Sequence, residues 1–527
     1  MSEQSNSDQV WLTSPEGLAV MLAFTVAMVV ASLFKGRKSA LPYPPGPKPS
    51  RIPLIGNMMD MPSSQEWKTF AQWNKEHGPL VMVEVLGQKM CIVGSHKVAS
   101  DLLDGKSAIY SDRPAMPMVN DLMDWRFNMG LQPYTESYKR HRKAFHHGFN
   151  KRVSDEYQYL QTVEVNNLLK NLLDSPEQFD GHLKDSVAAT IMMIGLGYKT
   201  TGSDDRFVSI AESAQLAMVT AARPGAFLVD VLPWLKHVPE WVPGAGFQKV
   251  ARRGWEFSQD LQKIPFAWAQ QQYEQGLAQP SFFKKLRDTP GFASEDPKEE
   301  EHIVRCATAV MYATAADTIL SSMLTFVLGM IHTPHVVKLA QEELDRVIGT
   351  DRLPTLADRE SLPYVTAVAK EALRWEVVIP MGVPHRLMED DVYNGMFIPA
   401  GTVMIPNQWG MAHEESVYPN PMEYRPERFL VPTSQMPPDP NQIAFGFGRR
   451  ICPGRFVAEN QLWLTVASIL ACFDISAALD AQGKPILPPR DYTSGMASRP
   501  APFKCQMKPR HSMVKDLIAH NLEANAP

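Results

Sequence analysis

The N-terminal hydrophobic pattern differs from the pattern in the rest of the chain. Gly17 to Phe34 is a run of 18 residues without a charged side chain, near the shortest length at which a helix crosses a bilayer. The basic residues Lys35, Arg37 and Lys38 follow at once, and such residues mark the cytosolic end of a membrane helix. We therefore predict a short lumenal N-terminus over 1–16, a transmembrane anchor over 17–34, and a cytosolic body after this single pass.

A cleaved signal peptide is the alternative for this run. Such a peptide carries its basic residues before the apolar stretch, whereas this chain has Glu3, Asp8 and Glu16 there, so a retained anchor is favoured. Four prolines follow within Leu41–Pro47. Because proline fixes φ and removes backbone donors, this stretch is extended and stiff, and we predict a basic, proline-rich hinge over 35–51.

From Ile52 onward the pattern predicts mainly helices and a few short strands. Alternation over Val81–Val93 indicates a hairpin with its turn at Gly87-Gln88, and Tyr393–Met396 places Asn-Gly at the centre of a turn. The longest helical pattern spans Pro297–His332. Length alone suggests about three domains. Since no linker or repeat interrupts the pattern, we predict one large, mainly α domain with small β-sheets over 52–508 and a polar C-terminal tail over 509–527.

Composition narrows the classes of partner and compartment. The net charge of −5, without a basic arm, argues against a nucleic-acid partner. The five cysteines are odd in number, widely spaced and lack a C-x-x-C pair, so they indicate neither a disulfide framework nor a zinc site. A reducing compartment fits best. Each cysteine is by default a small buried hydrophobe, and Cys452 alone has neighbours that change this interpretation.

The segment from Phe445 to Gly454 suits a buried sulfur ligand. Glycines at Gly446, Gly448 and Gly454 allow the backbone to fold tightly and aim its N–H groups inward. Pro453 suits the first turn of a helix whose dipole would stabilise a thiolate at Cys452.

The residues Phe445, Gly448, Arg450, Cys452 and Gly454 match F-x-x-G-x-R-x-C-x-G, and this segment resembles the haem-binding signature of the cytochrome P450 superfamily. The resemblance implies haem b with Cys452 as the axial metal ligand, Arg450 as a propionate partner and Phe445 packed beside the sulfur. It covers roughly Ile52 to Lys508 and implies the P450 fold in a single large domain.

Two further motifs stand in the family's order. Glu371 and Arg374 lie three residues apart on one predicted helix face, and the resemblance implies that Arg428 closes a structural network with them. Asp317 and Thr318 stand in an otherwise apolar helix. A threonine bonded to its own backbone beside a solvated aspartate is the plain interpretation. The resemblance instead implies a catalytic acid–alcohol pair that delivers protons to iron-bound dioxygen.

Residues on other segments complete the expected haem site. Tyr138 and Arg142 resemble the family's aromatic and basic pair over the haem edge, although the aromatic residue there is usually Trp; an exposed basic helix face is the alternative. The resemblance also implies a haem-binding role for His385. The following basic residues are expected to form a surface that attracts an acidic electron donor: Lys139, Arg140, Lys143, Arg449 and Arg455.

The anchor and hinge resemble those of microsomal P450 enzymes, which implies the endoplasmic reticulum membrane, lipid contact and NADPH–cytochrome P450 reductase as electron donor. Segments near Leu362 and Pro384 look similar to fungal secondary-metabolism enzymes of the O-methylsterigmatocystin oxidoreductase-like group. We expect monooxygenation, first of all hydroxylation, of a lipophilic small molecule, with a terpenoid ahead of an aromatic polyketide or indole compound. An oxygen-independent isomerase or dehydratase and a non-catalytic haem sensor are the alternatives, and Asp317-Thr318 argues against both.

Family layout also suggests where the substrate lies. The expected pocket segments are mainly apolar, and the chain's 28 methionines suit an irregular hydrophobic ligand. These segments are Met116–Phe127, Val310–Ala313, Val377–Val383 and Ser494–Met496.

Overall fold

The computed structural model describes residues 40–50, 52, 55–202, 204–223 and 225–524. The predicted lumenal segment 1–16, the anchor 17–34 and the first part of the hinge lie outside the described residues. Helices dominate, as predicted. In chain order they are α1 Glu66–His77, α2 His96–Ala99, α3 Ser107–Tyr110, α4 Glu136–Phe149, α5 Lys151–Glu156, α6 Gln158–Asp174, α7 Phe179–Leu196, α8 Arg206–Ala221, α9 Phe247–Glu274, α10 Phe282–Arg287, α11 Pro297–His332, α12 Pro334–Val347, α13 Pro363–Trp375, α14 Gln408–Ala412, α15 Asn441–Ala444, α16 Arg455–Cys472 and α17 Val514–Ala524.

The strands are short and form three small sheets. They are β1 Leu80–Val85, β2 Gln88–Val93, β3 His385–Arg386, β4 Asp391–Tyr393, β5 Met396–Ile398, β6 Val403–Pro406, β7 Phe473–Leu479, β8 Pro485–Ile486 and β9 Cys505–Pro509. The largest sheet has the order β1-β2-β6-β3, with β2 and β6 parallel; a second sheet pairs β4 with β5, and the third has the order β8-β7-β9.

Contacts divide the chain into two compact units. In the described part of the chain the smaller comprises 40–43 and Asp391–Ile398, where the amide of Phe397 donates to the carbonyl of Pro42 at 2.7 Å. The larger comprises Pro44–Asp390 and Pro399–Pro527 and holds the large hydrophobic core. The mainly α class with small β-sheets is therefore confirmed.

The longest helix, α11, has the bounds that its sequence pattern predicts. Asp296 caps its N-terminus by accepting from the amide of Lys298, and Pro297 occupies the first turn, where no backbone donor is needed. Among the described residues it is a helix long and apolar enough to cross a membrane, yet 72% of its most apolar window is buried in the protein. It is therefore the core helix of the larger unit.

The first hairpin confirms the prediction for Val81–Val93 except in the position of its turn. The turn residues are Leu86 and Gly87, with φ of 50° and 83°, instead of Gly87-Gln88. Two consecutive positive φ values are typical of a type I′ turn. The Asn394-Gly395 turn joins β4 to β5 as predicted, with φ of 48° and 76°.

Both ends of the larger unit pack on its body. The carbonyl of Pro45, within the segment predicted as hinge, accepts from the amide of Met82 on β1 at 2.9 Å, and Pro44 is buried. In the segment predicted as a polar tail, α17 buries Val514 and Ile518. These contacts make 44–50 and 514–524 part of the packed structure.

Candidate active site

The loop before α16 is folded around Cys452 by its own backbone. The amide of Cys452 donates to the carbonyl of Phe445 at 2.8 Å, and the amide of Ile451 donates to Gly448 at 3.2 Å. The helix begins at Arg455, with Gly454 as its N-cap. Pro453 therefore precedes the helix, whereas its pattern predicts a place in the first turn.

The glycines of this loop are not equivalent. Gly448 has φ of +56°, and a Cβ built there would lie 2.1 Å from the carbonyl oxygen of Leu103, so only glycine fits without backbone movement. Gly446 also has a positive φ, 76°. Gly454 has an ordinary φ, and a Cβ there would meet no atom within 4 Å. Open space beside Gly454 is what a loop facing a cavity requires.

Cys452 faces a cavity of about 330 Å³. Phe445, Gly446 and Gly454 line it on the side of the cysteine loop. Most of the remaining lining is apolar, and among the described residues no carboxylate lines it. Three of the expected pocket segments contribute in part, since the lining includes Val310, Met311, Ala313, Val378, Ile379, Gly382, Val383 and Met496. Residues of the loop Met116–Phe127 do not line this cavity, although Arg113 before the loop and Asn128 after it do.

The surroundings of the Cys452 sulfur both oppose and support a thiolate. Burial raises the pKa of the Cys452 thiol, while the N–H of Gly454 and the charges of Arg142 and Arg455 lower it. A bound metal ion deprotonates a thiol that coordinates it. Two arginines and one aimed N–H therefore suit Cys452 as an anionic ligand that becomes ionised when it binds a metal.

Three nitrogen-bearing side chains meet at the cavity. Arg450 donates to the carbonyls of Ser111, Met129 and Gln132 at 2.7–3.1 Å, and Arg113 donates to those of Gly130, Val383 and Pro384 at 2.7–2.8 Å. His385 is buried and has Nδ1 2.8 Å from the carbonyl of Tyr110. All three line the cavity that contains Cys452.

The electrostatics of this cluster favour an anionic partner. Burial, followed by the charge of Arg450, holds the pKa of Arg113 well below its ordinary value, and burial lowers the pKa of Arg450 to about 10. Burial and both arginines hold the pKa of His385 well below its ordinary range. Carboxylate groups placed between the arginines would relieve their repulsion, which is the electrostatic arrangement of an anion-binding site.

Tyr138 and Arg142 lie behind the cysteine loop and do not line the cavity. The Tyr138 hydroxyl donates to the carbonyl of Arg449 at 2.5 Å, and its ring centroid lies 3.8 Å from the guanidinium carbon of Arg450. Arg142 donates to the carbonyl of Ile451 at 2.6 Å. Both residues thus hold the loop and Arg450 in place, and direct contact between either of them and a propionate stays a prediction.

The structure brings Glu371, Arg374 and Arg428 together in a fully buried network. Glu371 accepts two bonds from Arg374 at 2.7 and 2.8 Å and one from Arg428 at 3.1 Å. A fourth comes from the amide of Arg425 at 2.8 Å. The remaining guanidinium bonds go to backbone carbonyls of the segment 412–423. The network therefore fixes the chain that leads to the cysteine loop.

Asp317 and Thr318 face different cavities. Thr318 lines the Cys452 cavity, and its hydroxyl donates to the carbonyls of Thr314 and Ala315 at 3.2 and 3.1 Å. Asp317 lines a small neighbouring cavity beside the Lys184–Glu212 ion pair, whose atoms are 2.8 Å apart. Burial raises the pKa of Asp317, Glu212 adds to the rise, and Arg499 and Lys184 oppose it.

Arg113 and Gln215 were missed by sequence reasoning. Gln215 lines both the Cys452 cavity and the Asp317 cavity. Arg113 is one of 52 lysines and arginines, and the segment that contains it has no periodicity that would set it apart. Only the folded chain, which places Arg113 near Arg450 and His385, identifies it.

Comparison with known proteins agrees with this geometry. The family model for Cytochrome P450 matches residues 44–507. The chain is 40% identical over 517 residues to cytochrome P450 monooxygenase 208 of Postia placenta, covering 97% of this chain and 98% of that protein. It is also 40% identical to claR of Ampulloclitocybe clavipes (92% and 89% covered) and to ple1 of Rhodocybe pseudopiperita (95% and 95%), both cytochrome P450 monooxygenases.

The chain belongs to the cytochrome P450 family, and its relatives are fungal haem monooxygenases. It is accordingly an oxidoreductase, and the family's cofactor is haem held by a cysteine thiolate. The described residues fit that group. Cys452 would supply the sulfur ligand in a largely apolar cavity, and the cavity-lining Arg113, Arg450 and His385 would hold the propionate carboxylates.

Proposed function

We propose that this chain hydroxylates a lipophilic secondary-metabolite intermediate, a terpenoid before an aromatic polyketide or indole compound, using O2 and electrons from NADPH–cytochrome P450 reductase. The observation that carries this proposal is the composition of the Cys452 cavity. Its lining is largely apolar and includes no carboxylate among the described residues, which favours a hydrocarbon-rich ligand with few polar groups. When bound, haem supplies the oxygen chemistry, and the protein supplies binding, orientation and protons.

Apolar side chains from several elements would hold the substrate. Met218 on α8, Met311 on α11 and Met496 near the C-terminal sheet all line the cavity. Methionine is unbranched and adapts its shape to irregular ligands. Gln215 and Thr314 also line the cavity and are polar groups that could orient a hydroxyl or carbonyl of the substrate.

The decisive experiment is product analysis in a fungal host that expresses the full chain with a reductase. Terpenoid, polyketide and indole precursors are supplied separately under 18O2, and products are analysed by mass spectrometry. We expect a terpenoid product that gains one labelled oxygen and is absent with a Cys452→Ser variant. Labelled product from an aromatic precursor alone would replace the terpenoid assignment, and a rearranged product without added oxygen would contradict monooxygenation.

We infer that Thr318 and Asp317 deliver protons during this reaction. Thr318 holds a hydroxyl proton at the wall of the cavity, and Asp317 faces a separate cavity that also contains Lys184 and Glu212. Because burial raises the pKa of Asp317, the carboxyl keeps a proton at higher pH than a solvated one. A proton taken up near Lys184 can reach Asp317, and Gln215, which borders both cavities, supports a path between them.

Coupling of NADPH oxidation to product formation tests this role. Thr318→Ala should lower product formed per NADPH, and Thr318→Ser should restore much of it because the hydroxyl is retained. Thr308→Ala is the matched control, since Thr308 lies on α11, bonds back to its own backbone at 2.9 and 3.0 Å, and lies outside the cavity lining. Unchanged coupling in Thr318→Ala would refute the proton role.

We propose that the reductase docks on a basic surface formed by Lys143, Arg449 and Arg455. Lys143 and Arg449 are exposed, and in the described part of the chain none of the three forms an ion pair with a carboxylate. Lys139 and Arg140 are instead paired with Glu136 and Glu299. Arg449→Glu should slow the first electron transfer at low salt more than Lys515→Glu, which makes the same charge change on the exposed side of α17.

We further propose that residues 17–34 anchor the protein in the endoplasmic reticulum membrane with the catalytic body in the cytosol. The charge-free run and the basic residues after it support this topology. Carbonate washing of microsomes should leave the full chain in the membrane and release a variant lacking residues 1–34. Digestion of intact microsomes by added protease should remove the body, and a protected body would contradict the cytosolic orientation.

A further inference from the structure

Helices α4 and α11 bring two imidazoles and a thiol together outside the Cys452 cavity. His141 belongs to α4, and His302 and Cys306 lie one turn apart on α11. One possible ligand atom from each residue lies within 4.8 Å of the other two. None of the three lines the Cys452 cavity. The three residues also belong neither to the proposed proton-delivery residues nor to the basic surface. The proposed function therefore gives this cluster no role.

His141 is already oriented as a ligand. Its side chain is 3% exposed, and its Nδ1 lies 2.8 Å from the carbonyl of Ser137, which fixes the proton on that nitrogen. Nε2 is buried and has no hydrogen-bond partner. Metal-binding histidines commonly donate one ring N–H to a carbonyl and present the other nitrogen to the metal. Without a metal ion, this buried lone pair would lose its hydration and gain no hydrogen bond to compensate for that loss.

His302 and Cys306 have a spacing that fits one metal ion. Nε2 of His302 lies 3.5 Å from Sγ of Cys306. In a tetrahedral zinc site with Zn–S of about 2.3 Å and Zn–N of about 2.0 Å, these two ligand atoms are about 3.5 Å apart. His302 is exposed and can turn toward His141, whose ring centroid is 6.1 Å from its own.

A polar cavity beside the cluster offers room for a further ligand. It has a volume of about 320 Å³, and its lining includes His302, Asp124 and Gln132 together with the cations Arg126, Lys263 and Arg305. This volume and its polar lining are sufficient for ordered water. The Asp124 carboxylate lies near enough to His302 and Cys306 to act on both electrostatically, so it offsets part of the positive charge that Arg305 brings to them.

We propose that His141, His302 and Cys306 bind one Zn²⁺ ion, with water from the polar cavity as the fourth ligand. Two imidazoles and one thiolate are a donor set that borderline-soft Zn²⁺ accepts, whereas Mg²⁺ and Ca²⁺ require oxygen ligands. The ion would bridge the helix that carries Tyr138 and Arg142 to the helix that carries Thr318. Cysteine spacing predicts no such site, because the ligands come from two helices that only folding brings together.

Binding requires a defined exchange of protons and partners. The Cys306 thiol releases one proton to solvent as its sulfur binds the ion. Nε2 of His302 must be free of its proton, which moves to Nδ1. Nδ1 is now 3.0 Å from a guanidinium nitrogen of Arg305, so Arg305 must turn into the polar cavity that it already lines.

The test uses full-length holoprotein without a histidine tag, dialysed against chelator and then titrated with zinc sulfate. Elemental analysis should find one zinc per haem iron after gel filtration. Absorption at the zinc edge should report one sulfur at about 2.3 Å and nitrogen or oxygen ligands at about 2.0–2.1 Å. Zinc should also raise the temperature of unfolding, because it binds the folded state in preference to the unfolded one.

Two pairs of variants separate this site from adventitious binding. His302→Gln, at an exposed position, should weaken zinc binding by more than the roughly 10- to 100-fold that loss of an outer-shell partner costs. His335→Gln, at another exposed position, should leave zinc binding unchanged. Cys306→Ala should abolish the sulfur signal, and Cys472→Ala, at another fully buried helical cysteine, should retain it. Absence of retained zinc, or equal retention in His302→Gln and the parent, would overturn the proposal.

Discussion

Replacing Glu371 by glutamine tests how the haem-proximal scaffold is held together. The substitution keeps the size of the side chain and removes its charge. Oε1 of the new amide can still accept from Arg374, Arg428 and the amide of Arg425. At the position of Oε2, however, an N–H₂ group would face Nε of Arg374, which donates there at 2.7 Å in the parent. One charge-assisted bond becomes a contact between two donors.

The magnitude follows from burial. Glu371 and Arg374 have fully buried side chains, and the side chain of Arg428 is 3% exposed. Glutamine would leave two buried guanidinium charges without a carboxylate. Breaking a buried pair in this way costs about 3–5 kcal/mol, and the lost charge-assisted bond alone accounts for about 1.5–3 kcal/mol. We expect a loss near 4 kcal/mol, a large share of the roughly 5–15 kcal/mol by which a domain is stable.

Urea unfolding of the detergent-solubilised holoprotein, followed by Soret absorbance and tryptophan fluorescence, measures this loss from the midpoint and slope. Glu342→Gln is the control, because Glu342 forms an exposed pair with Lys338 at 3.8 Å, and such pairs contribute about 0.5 kcal/mol or less. Adding Arg374→Met to Glu371→Gln removes one uncompensated charge and should recover at least about 1 kcal/mol. A loss below about 1 kcal/mol in Glu371→Gln would refute the reasoning.

Three further substitutions test other parts of the structure. Arg113→Met should raise the haem dissociation constant by roughly 10- to 100-fold, the equivalent of one lost charge-assisted bond, as measured by haem transfer to an acceptor; unchanged retention would remove Arg113 from the propionate site. Gly448→Ala should lower the urea midpoint, because its Cβ would clash with Leu103 and an alanine at positive φ costs about 1–2 kcal/mol. Burial raises the pKa of Asp317, so folding favours its neutral form. The contribution of this carboxyl to the free energy of unfolding is therefore fully present below the ordinary pKa of 3.8 and is lost as pH rises through the raised value. The urea midpoint of Asp317→Asn, relative to that of the parent, should therefore be higher at pH 8 than at pH 4. An equal difference between variant and parent at the two pH values would contradict this.

Local signals in the sequence were sufficient where one segment carries the whole pattern. The bounds of α11 follow from a long helical pattern that starts at Pro297, and the Cys452 loop follows from its glycines. Contacts between distant segments could not be predicted in this way. Arg113 becomes part of the site only because β3 and the cysteine loop fold beside it.

Departures from prediction have local physical causes. The first hairpin turns at Leu86-Gly87, one position earlier than expected, because Leu86 as well as Gly87 adopts the positive φ that a two-residue hairpin turn of type I′ needs. Asp317 and Thr318 are adjacent in sequence, yet neighbouring residues on a helix point about 100° apart. They therefore face separate cavities, and adjacency alone does not give them a common function.

The proline-rich segment that packs on β1 should also protect the protein against self-association. β1 is the outermost strand of its sheet, and exposed edge strands template pairing with other chains. Pro45 satisfies the amide of Met82, and Asn57 bonds to both the carbonyl and the amide of Glu84. Proline itself has no N–H to offer a further strand. This cover blocks intermolecular sheet growth, so its removal should produce aggregates rich in β-structure even if the cavity stays intact.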